Sequence, residues 1–244
     1  MYVWMMEKQN KRVLVTGATR GIGRAVVQKL ARAGYDLLLV SSREGDLAEF
    51  RSDLQWEYPG LEISVFPADL SDPYDVHRLR DWAVSHRPDI LINNVGVFKP
   101  VSILNEEEGA FLPQFYVNYY AAHTLCAAVG RQMRERGQGH ILNVTSTASR
   151  EPVKAGTYTV TKFALRGLTY VLRNELRGSG VKVTEIIPGS TLTSSWGETD
   201  QPREHFINPD EVADAMLFCL KNSDTAMVEE LVIKPQKGNI LTDC

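Results

Sequence analysis

Short apolar runs alternate along the chain with longer segments that carry apolar residues at helical spacing. The runs are nearly continuous in Val, Ile and Leu, which is typical of parallel strands covered on both faces. We predict strands at Arg12–Thr16, Asp36–Ser41, Glu62–Pro67, Ile90–Asn93, His140–Val144, Val181–Ile187 and Glu230–Ile233. This alternation predicts an α/β fold over residues 1–244, a single doubly wound Rossmann domain with a mostly parallel seven-stranded sheet and helices on both faces.

Capping residues indicate where the predicted helices begin and end. Gly34 follows the first helical segment at a position typical of a C-terminal cap. Asn208 precedes a proline and two acids, as expected at the start of another helix. Two longer helices are predicted at residues 111–136 and 157–177, and the polar, irregular stretch at residues 194–208 is predicted to be a surface loop or a lid over substrate.

Composition narrows the class of partner and the compartment. Hydrophobic residues make up 43% and charged residues 23%, with a formal net charge of -3, so nothing favours a nucleic acid or a membrane surface as partner. Cys126, Cys219 and Cys244 are far apart and odd in number, which favours a reducing compartment. The apolar opening at residues 1–6 is shorter than a signal core. We therefore expect a cytoplasmic protein.

A glycine-rich segment directly follows the first predicted strand, with the sequence Thr16-Gly17-Ala18-Thr19-Arg20-Gly21-Ile22-Gly23. Glycines allow a sharp turn and a close approach of backbone to a pyrophosphate, and the following helix offers unpaired N–H groups. A plain strand-to-helix turn is the alternative interpretation. Between a strand and a helix of an alternating chain, the pattern favours a dinucleotide site formed by Gly17, Thr19, Arg20, Gly21, Ile22 and Gly23.

The end of the second predicted strand indicates which dinucleotide is bound. An acid there would accept a hydrogen bond from a ribose 2′-hydroxyl and repel a 2′-phosphate. Ser41, Ser42 and Arg43 follow the strand instead, and Arg20 adds a second cation from the glycine loop. Hydroxyls and guanidinium groups suit a phosphate dianion, so NADP is predicted over NAD. The alternative is that Arg43 only faces solvent.

Tyr158 and Lys162 stand four positions apart in a segment predicted to be helical, so both side chains are expected on one face. An ammonium about 5 Å from a phenolate, at an effective dielectric constant near 20, favours the ionised phenol by about 3 kcal/mol. Such a neighbour would lower the pKa of the tyrosine from about 10 toward neutrality. A phenol tuned in this way can donate a proton to a carbonyl oxygen. The alternative is that Lys162 is simply a solvated cation on an amphipathic helix.

These features resemble the short-chain dehydrogenase/reductase family, and further segments match it in order over most of the chain. Asp69-Leu70 is similar to the pair that flanks the adenine, and Asn93-Asn94-Val95-Gly96 to the motif after the fourth strand. Asn118 matches the asparagine of a long helix, and Ser146 matches the catalytic serine after the fifth strand. The turn that closes over the nicotinamide is matched by Pro188, Gly189, Thr191 and Thr193.

The resemblance implies a role for each of these residues. Tyr158 would be the general acid in reduction, and Lys162 would lower its pKa and hold the ribose hydroxyls. Ser146 would bond the substrate oxygen, and Asn118 would anchor a water that links Lys162 to bulk solvent. Asn94 and Gly96 would contact the cofactor.

The resemblance also implies partners for the chain. It implies a homodimer or homotetramer through the two long helices, for which a monomer in sedimentation at micromolar concentration would be contrary evidence.

Two details depart from the family pattern. The spacing from Ser146 to Tyr158 is one residue short, so Thr145 competes for the serine's role. The chain also lacks the glycine-rich finish that the family commonly has after its last strand. In the predicted lid, Trp196 and His205 either contact substrate or pack the loop.

We therefore expect an NADPH-dependent enzyme that reduces a ketone or 3-oxo group of a small molecule. Similarity to 3-oxoacyl carrier-protein reductases makes a carrier-bound acyl chain one candidate, with Arg131, Arg134 and Arg136 as its docking cations or simply as a solvated helix end. The alternatives are a cofactor-sensing binding protein and a methyltransferase on a similar fold. The histidines lack metal-ligand spacing, so no metal is expected.

Overall fold

In the computed structural model, which describes residues 9–197, 199–223 and 225–240, seven parallel strands form one sheet. The opening residues 1–6 and Cys244 lie outside the described residues. The strands are β1 (Arg12–Thr16), β2 (Asp36–Ser41), β3 (Ile63–Pro67), β4 (Ile90–Asn93), β5 (Gly139–Val144), β6 (Val181–Pro188) and β7 (Glu230–Ile233). The prediction of a doubly wound α/β fold is confirmed, and each predicted strand is present within one residue at either end.

The order of the strands across the sheet is β3-β2-β1-β4-β5-β6-β7. The chain therefore reverses direction across the sheet between β1 and β4, where Val13 pairs with Ile90 and Val15 with Ile92. In doubly wound sheets this switch point leaves a crevice at the carboxyl ends of the strands, and ligands bind there. The glycine-rich segment after β1 lies at that crevice.

Helices cover both faces of the sheet. They are α1 (Gly21–Arg32), α2 (Glu44–Glu57), α3 (Pro73–His86), α4 (Phe111–Phe115), α5 (Ala121–Arg136), α6 (Gly156–Glu175) and α7 (Pro209–Leu220). One apolar core packs α1, α2 and α7 against one face, and a second packs α3, α5 and α6 against the other. The five inner strands are consequently buried on both sides, which explains their continuous apolar sequence, whereas the edge strands β3 and β7 are only partly buried.

The long helix predicted at residues 111–136 is divided in the structure. A single π-helical segment, Tyr116–Tyr120, separates α4 from α5 and contains Asn118. A π turn adds a residue to the helical repeat and is frequent at functional sites. Asn118 is thereby placed in a local distortion of the helix, close to the carboxyl end of β4.

The predicted start of α7 has the expected capping chemistry. The Asn208 side chain accepts a hydrogen bond from the Asp210 N–H at 3.0 Å, and the Glu211 carboxylate accepts one from the Asn208 N–H at 2.9 Å. This capping box fixes where the stretch at residues 194–208 ends. Within that stretch the chain forms two short 3₁₀ turns, Ser194–Trp196 and Arg203–His205.

In the described part of the chain, no helix combines the length and apolar content needed to cross a bilayer. Among the same residues, no three His, Cys, Asp or Glu side chains group together as metal ligands would.

Candidate active site

A cleft of about 340 Å³ opens at the carboxyl ends of the strands. Most of the residues singled out in the sequence line it. They are Gly17, Thr19, Arg20, Gly21, Ile22, Ser41, Ser42, Asp69, Leu70, Asn94, Gly96, Ser146, Tyr158, Lys162, Pro188, Gly189, Thr191 and Thr193. Three others, Gly23, Arg43 and Asn118, lie nearby without lining it.

The glycine loop is held by close backbone contacts that exclude a side chain. Gly17 has a φ of +67°, in the left-handed region that favours glycine. A Cβ at Gly23 would lie 1.9 Å from the Gly17 carbonyl oxygen, so Gly23 permits the loop to pack against the helix start. The Asn94 side-chain amide donates to the Thr16 carbonyl at 3.0 Å and ties the loop to the end of β4. The loop therefore presents its backbone toward the cleft in one fixed shape.

Hydroxyl groups and a cation gather where β2 ends. The hydroxyls of Thr19 and Ser41 lie 2.9 Å apart, and Ser42 and Arg20 also line this part of the cleft. Arg43 lies at the N-cap of α2, where its exposed guanidinium is 3.8 Å from the Asp46 carboxylate. Arg20 is thus placed to contact a ligand in the cleft, whereas Arg43 would have to turn from Asp46 to reach it.

The lining chemistry fits a phosphorylated dinucleotide such as NADP. Among the described lining residues Asp69 is the one acid, and its carboxylate already accepts hydrogen bonds from the Ser71 N–H and hydroxyl at 2.9 and 2.8 Å. A Cβ at Gly21 would lie 2.9 Å from the Thr193 side chain, so the glycine loop and the segment after β6 face each other closely. The start of α1 lines the cleft together with several hydroxyl residues, and a helix N-terminus offers unpaired N–H groups to a phosphate.

Tyr158 lies in the first turn of α6 and faces the same cleft. The Lys162 ammonium is 5.7 Å from the centre of the Tyr158 ring and donates a hydrogen bond to the Val144 carbonyl at 3.0 Å. The Ser146 side chain lies close enough to the phenol of Tyr158 to affect its pKa. The four-residue spacing of Tyr158 and Lys162 thus places the phenol and the ammonium on one side of α6. Ser146 lines the same cleft because it follows the carboxyl end of β5.

The protonation of this pair differs from the expectation drawn from the sequence. Burial raises the pKa of Tyr158, and the nearby side chain of Ser146 acts in the opposite direction. Burial also lowers the pKa of Lys162 to about 8. The expected net lowering of the tyrosine pKa is wrong for this arrangement, because desolvation of the phenolate outweighs its stabilisation. The phenol therefore keeps its proton at neutral pH.

The two hydroxyl residues that competed for the serine's role have different surroundings. Thr145 is buried, and its hydroxyl donates to the Glu185 carboxylate at 2.7 Å and lies 3.2 Å from the Ile186 carbonyl. Ser146 is partly exposed and lines the cleft with Tyr158, and its oxygen accepts from the Ala148 N–H at 3.1 Å. The geometry favours Ser146, since the Thr145 hydroxyl is already committed to groups behind the cleft.

Asn118 is fully enclosed and bonded to protein groups. Its oxygen accepts from the Val97 N–H at 2.7 Å, and its amide donates to the Val97 carbonyl at 3.0 Å and the Thr161 hydroxyl at 3.1 Å. A Cβ on Gly96 would lie 3.3 Å from the Lys162 nitrogen and 3.7 Å from the Asn118 oxygen. Asn118 therefore fixes the segment that passes beside Lys162, and its action through water stays a prediction.

The structure adds lining residues that sequence reasoning did not assign. Phe98 lies two positions after Gly96, and its ring centre is 5.0 Å from that of Tyr158. Asn239 accepts a hydrogen bond from the Ser190 N–H at 3.1 Å and donates one to the Thr147 hydroxyl at 3.2 Å. Phe98 could be found from its proximity to the matched motif. Asn239 carried no signal, because it lies 92 positions from Thr147 in the sequence.

Of the two residues considered in the predicted lid, only Trp196 lines the cleft among the described residues. Its indole N–H donates to the Thr191 carbonyl at 2.9 Å. Backbone hydrogen bonds from Leu192 to Ile207 and from Ile207 to Ser190 join the two ends of this segment. Trp196 is therefore held at the end of the cleft where Phe98 and Tyr158 lie, whereas His205 is not among the described residues that line it.

Comparison with known proteins gives consistent findings. A family model described as short chain dehydrogenase matches residues 11–204. Sepiapterin reductase from Chlorobaculum tepidum is 31% identical over 243 residues, covering 95% of this chain and 98% of that protein. A short-chain dehydrogenase from Sphingobium yanoikuyae, solved in complex with NADPH, is 28% identical with a TM-score of 0.84, covering 91% of this chain and 87% of that one.

A second solved structure is similar to this chain to about the same extent. It is an alcohol dehydrogenase from the archaeon Thermococcus sibiricus, complexed with 5-hydroxy-NADP, with 28% identity and a TM-score of 0.83. The match covers 93% of this chain and 97% of that chain. The similarity extends over nearly the whole fold in each case.

Proposed function

The chain belongs to the short-chain dehydrogenase family of oxidoreductase enzymes, and we propose that it uses NADPH to reduce a carbonyl group to a secondary alcohol. One observation carries the proposal. Tyr158 and Ser146 line the same cleft as the glycine loop, and the Ser146 side chain is close enough to the phenol to affect its pKa. The buried Lys162 ammonium lies 5.7 Å from the centre of the Tyr158 ring. Proton donor, orienting hydroxyl and dinucleotide cradle therefore face one space.

The cofactor would be held by residues described above. The backbone from Gly17 to Ile22 would bind the pyrophosphate at the start of α1, and Ser41, Ser42 and Arg20 would bind the 2′-phosphate. Asp69 and Leu70 would flank the adenine. When bound, NADPH supplies the hydride that carbon accepts in the reduction. The NADPH and 5-hydroxy-NADP complexes of the two structural relatives support this choice.

Residues of the chain would bind the substrate oxygen and transfer a proton to it. Ser146 and Tyr158 would both donate hydrogen bonds to that oxygen, which orients the carbonyl and polarises it. As carbon becomes tetrahedral, the Tyr158 proton moves to the oxygen, and the phenolate left behind is stabilised by the nearby ammonium of Lys162. The raised pKa of Tyr158 supports this direction, because a phenol that keeps its proton at neutral pH is available as an acid.

The direct test measures loss of NADPH absorbance with a panel of ketones and a 3-oxoacyl thioester. We expect turnover with at least one ketone and formation of the matching secondary alcohol. The thioester tests the acyl-chain hypothesis separately. NADPH binding without turnover on any carbonyl substrate would contradict the proposal and favour a cofactor-sensing protein.

Cofactor choice gives a second expectation. Arg20→Ala should lower the ratio of kcat/KM with NADPH to kcat/KM with NADH by about 10- to 100-fold, since a charge-assisted contact to the 2′-phosphate is lost. Arg43→Ala serves as the matched variant and should have a smaller effect, because its guanidinium is exposed and lies beside Asp46. Steady-state kinetics with both cofactors measures the ratio. An unchanged ratio in both variants would contradict NADP selection by these cations.

A further inference from the structure

Two aromatic side chains, Phe98 and Trp196, line the cleft together with Tyr158. The Phe98 ring lies edge-on to the Tyr158 ring at 5.0 Å between centres, with an interplanar angle of 85°. The Trp196 ring lies 5.7 Å from Phe98 at an angle of 40°. A substrate whose carbonyl reaches Tyr158 must therefore place a neighbouring group near these two rings.

The indole of Trp196 is held in a fixed orientation. Its N–H donates to the Thr191 carbonyl at 2.9 Å, and the Phe206 ring packs edge-on against it at 5.1 Å and 83°. A side chain anchored in this way loses little conformational freedom when a ligand packs on it. Trp196 and Phe98 therefore form a prearranged aromatic surface, and we call this pair the aromatic subsite.

Few charged side chains line the described part of the cleft. Among the described lining residues other than Tyr158, the ionisable ones are Arg20, Asp69 and Lys162. Arg20 and Asp69 follow β1 and β3 at the dinucleotide end, and the Lys162 ammonium bonds the Val144 carbonyl. Because no further cation is found among the described residues that line the cleft, burying a carboxylate or phosphate between Phe98 and Trp196 would be costly.

We propose that the aromatic subsite selects ketones in which the reacting carbonyl carries an uncharged aromatic ring. This inference rests on the proposed carbonyl reduction and deepens it by naming the substrate class. The ring of such a ketone packs against Phe98 and Trp196, where offset or edge-on aromatic contacts add to the gain from apolar burial. A saturated ring of the same size gains the burial but not the aromatic contact.

The test uses acetophenone and cyclohexyl methyl ketone, which differ in whether the ring is aromatic. In Trp196→Leu and in Phe98→Leu, the ratio of kcat/KM for acetophenone to kcat/KM for cyclohexyl methyl ketone should fall by roughly 3- to 10-fold. Intrinsic reactivity cancels when each variant's ratio is compared with that of the wild type. Trp196→Phe keeps a ring and should retain most of the preference.

Trp56→Leu is the control, because Trp56 is 88% exposed on α2 and should leave the ratio unchanged. NADPH affinity, measured by fluorescence titration, shows that each variant still folds its cofactor cleft. An unchanged ratio in both subsite variants would overturn the aromatic subsite. Turnover of cyclohexyl methyl ketone without turnover of acetophenone would also overturn it and leave carbonyl reduction standing. Failure of every ketone would instead contradict the proposed function.

Discussion

Replacing Tyr158 with phenylalanine is expected to lower kcat for ketone reduction by about 10³-fold or more, while the Kd for NADPH changes little. The substitution removes one oxygen atom and keeps the ring that packs edge-on against Phe98. Without the phenol, no other acidic side chain among the described lining residues is placed to donate this proton, because the Lys162 ammonium is directed at the Val144 carbonyl. Single-turnover rates and fluorescence titration with NADPH measure the two quantities.

Tyr170→Phe provides the matched control for this variant. Tyr170 lies on the same helix, α6, but is 65% exposed. Its hydroxyl is remote from the chemistry, so the control should retain wild-type kcat. A Tyr158→Phe enzyme with a rate near that of the wild type would show that the proton comes from another group. Loss of NADPH binding together with activity would indicate a damaged cleft rather than a missing acid.

The fold could be predicted from the sequence because its signals are local and repeated. Each strand is a short apolar run, and turn or capping residues such as Gly34 and Asn208 lie at the ends of helices where the structure has them. The π turn at Tyr116–Tyr120 was not predicted, since the apolar pattern continues through it. A local change of helical repeat depends on packing, and a pattern of residue types does not record it.

The candidate site could likewise be predicted from the sequence only in part. The glycine loop, Ser146, Tyr158 and Lys162 could be placed together because motifs at strand ends meet at one edge of a parallel sheet. The direction of the pKa shift of Tyr158 could not be predicted, because spacing reveals a neighbouring charge but not the desolvation that opposes its effect.

The orientation of some side chains and the contacts between residues far apart in the chain could also not be predicted from the sequence. The sequence did not reveal whether the Arg43 side chain faces the cleft or Asp46. It also gave no sign that Asn239 contacts Thr147, the residue after Ser146. Association of chains through α6, whose Phe163 and Val171 side chains are exposed, stays a prediction.

Replacing Lys162 with methionine should lower kcat by about 10²- to 10³-fold without unfolding the protein. Methionine fills a similar volume but carries no charge to stabilise the Tyr158 phenolate, and it cannot donate to the Val144 carbonyl. Lys162 is almost fully buried, at 3% exposure, so the wild-type enzyme bears the cost of a desolvated ammonium. Steady-state kinetics and chemical denaturation at pH 7 would measure the effects on activity and stability.

The sign of the stability effect follows from the pKa of Lys162. Burial lowers it from 10.5 to about 8, which corresponds to about 3 kcal/mol of unfavourable free energy when the lysine is charged in both states. Below about pH 8 that cost is fully present. Between about pH 8 and 10.5 the folded state binds fewer protons than the unfolded chain, so this group raises the free energy of unfolding as pH rises. Lys162→Met should therefore be at least as stable as the wild type at pH 7.

Activity should depend on pH in the opposite sense. As pH rises through about 8, Lys162 loses its charge, and the rate of ketone reduction should fall with the loss of one proton. The small residual rate of Lys162→Met should lack this decline near pH 8. Lys154→Met is the control, since Lys154 is exposed just before α6 and should keep both the rate and the pH profile of the wild type. A wild-type profile that stays flat to pH 10, or a Lys162→Met enzyme that retains the decline, would show that the ammonium does not support the proton transfer.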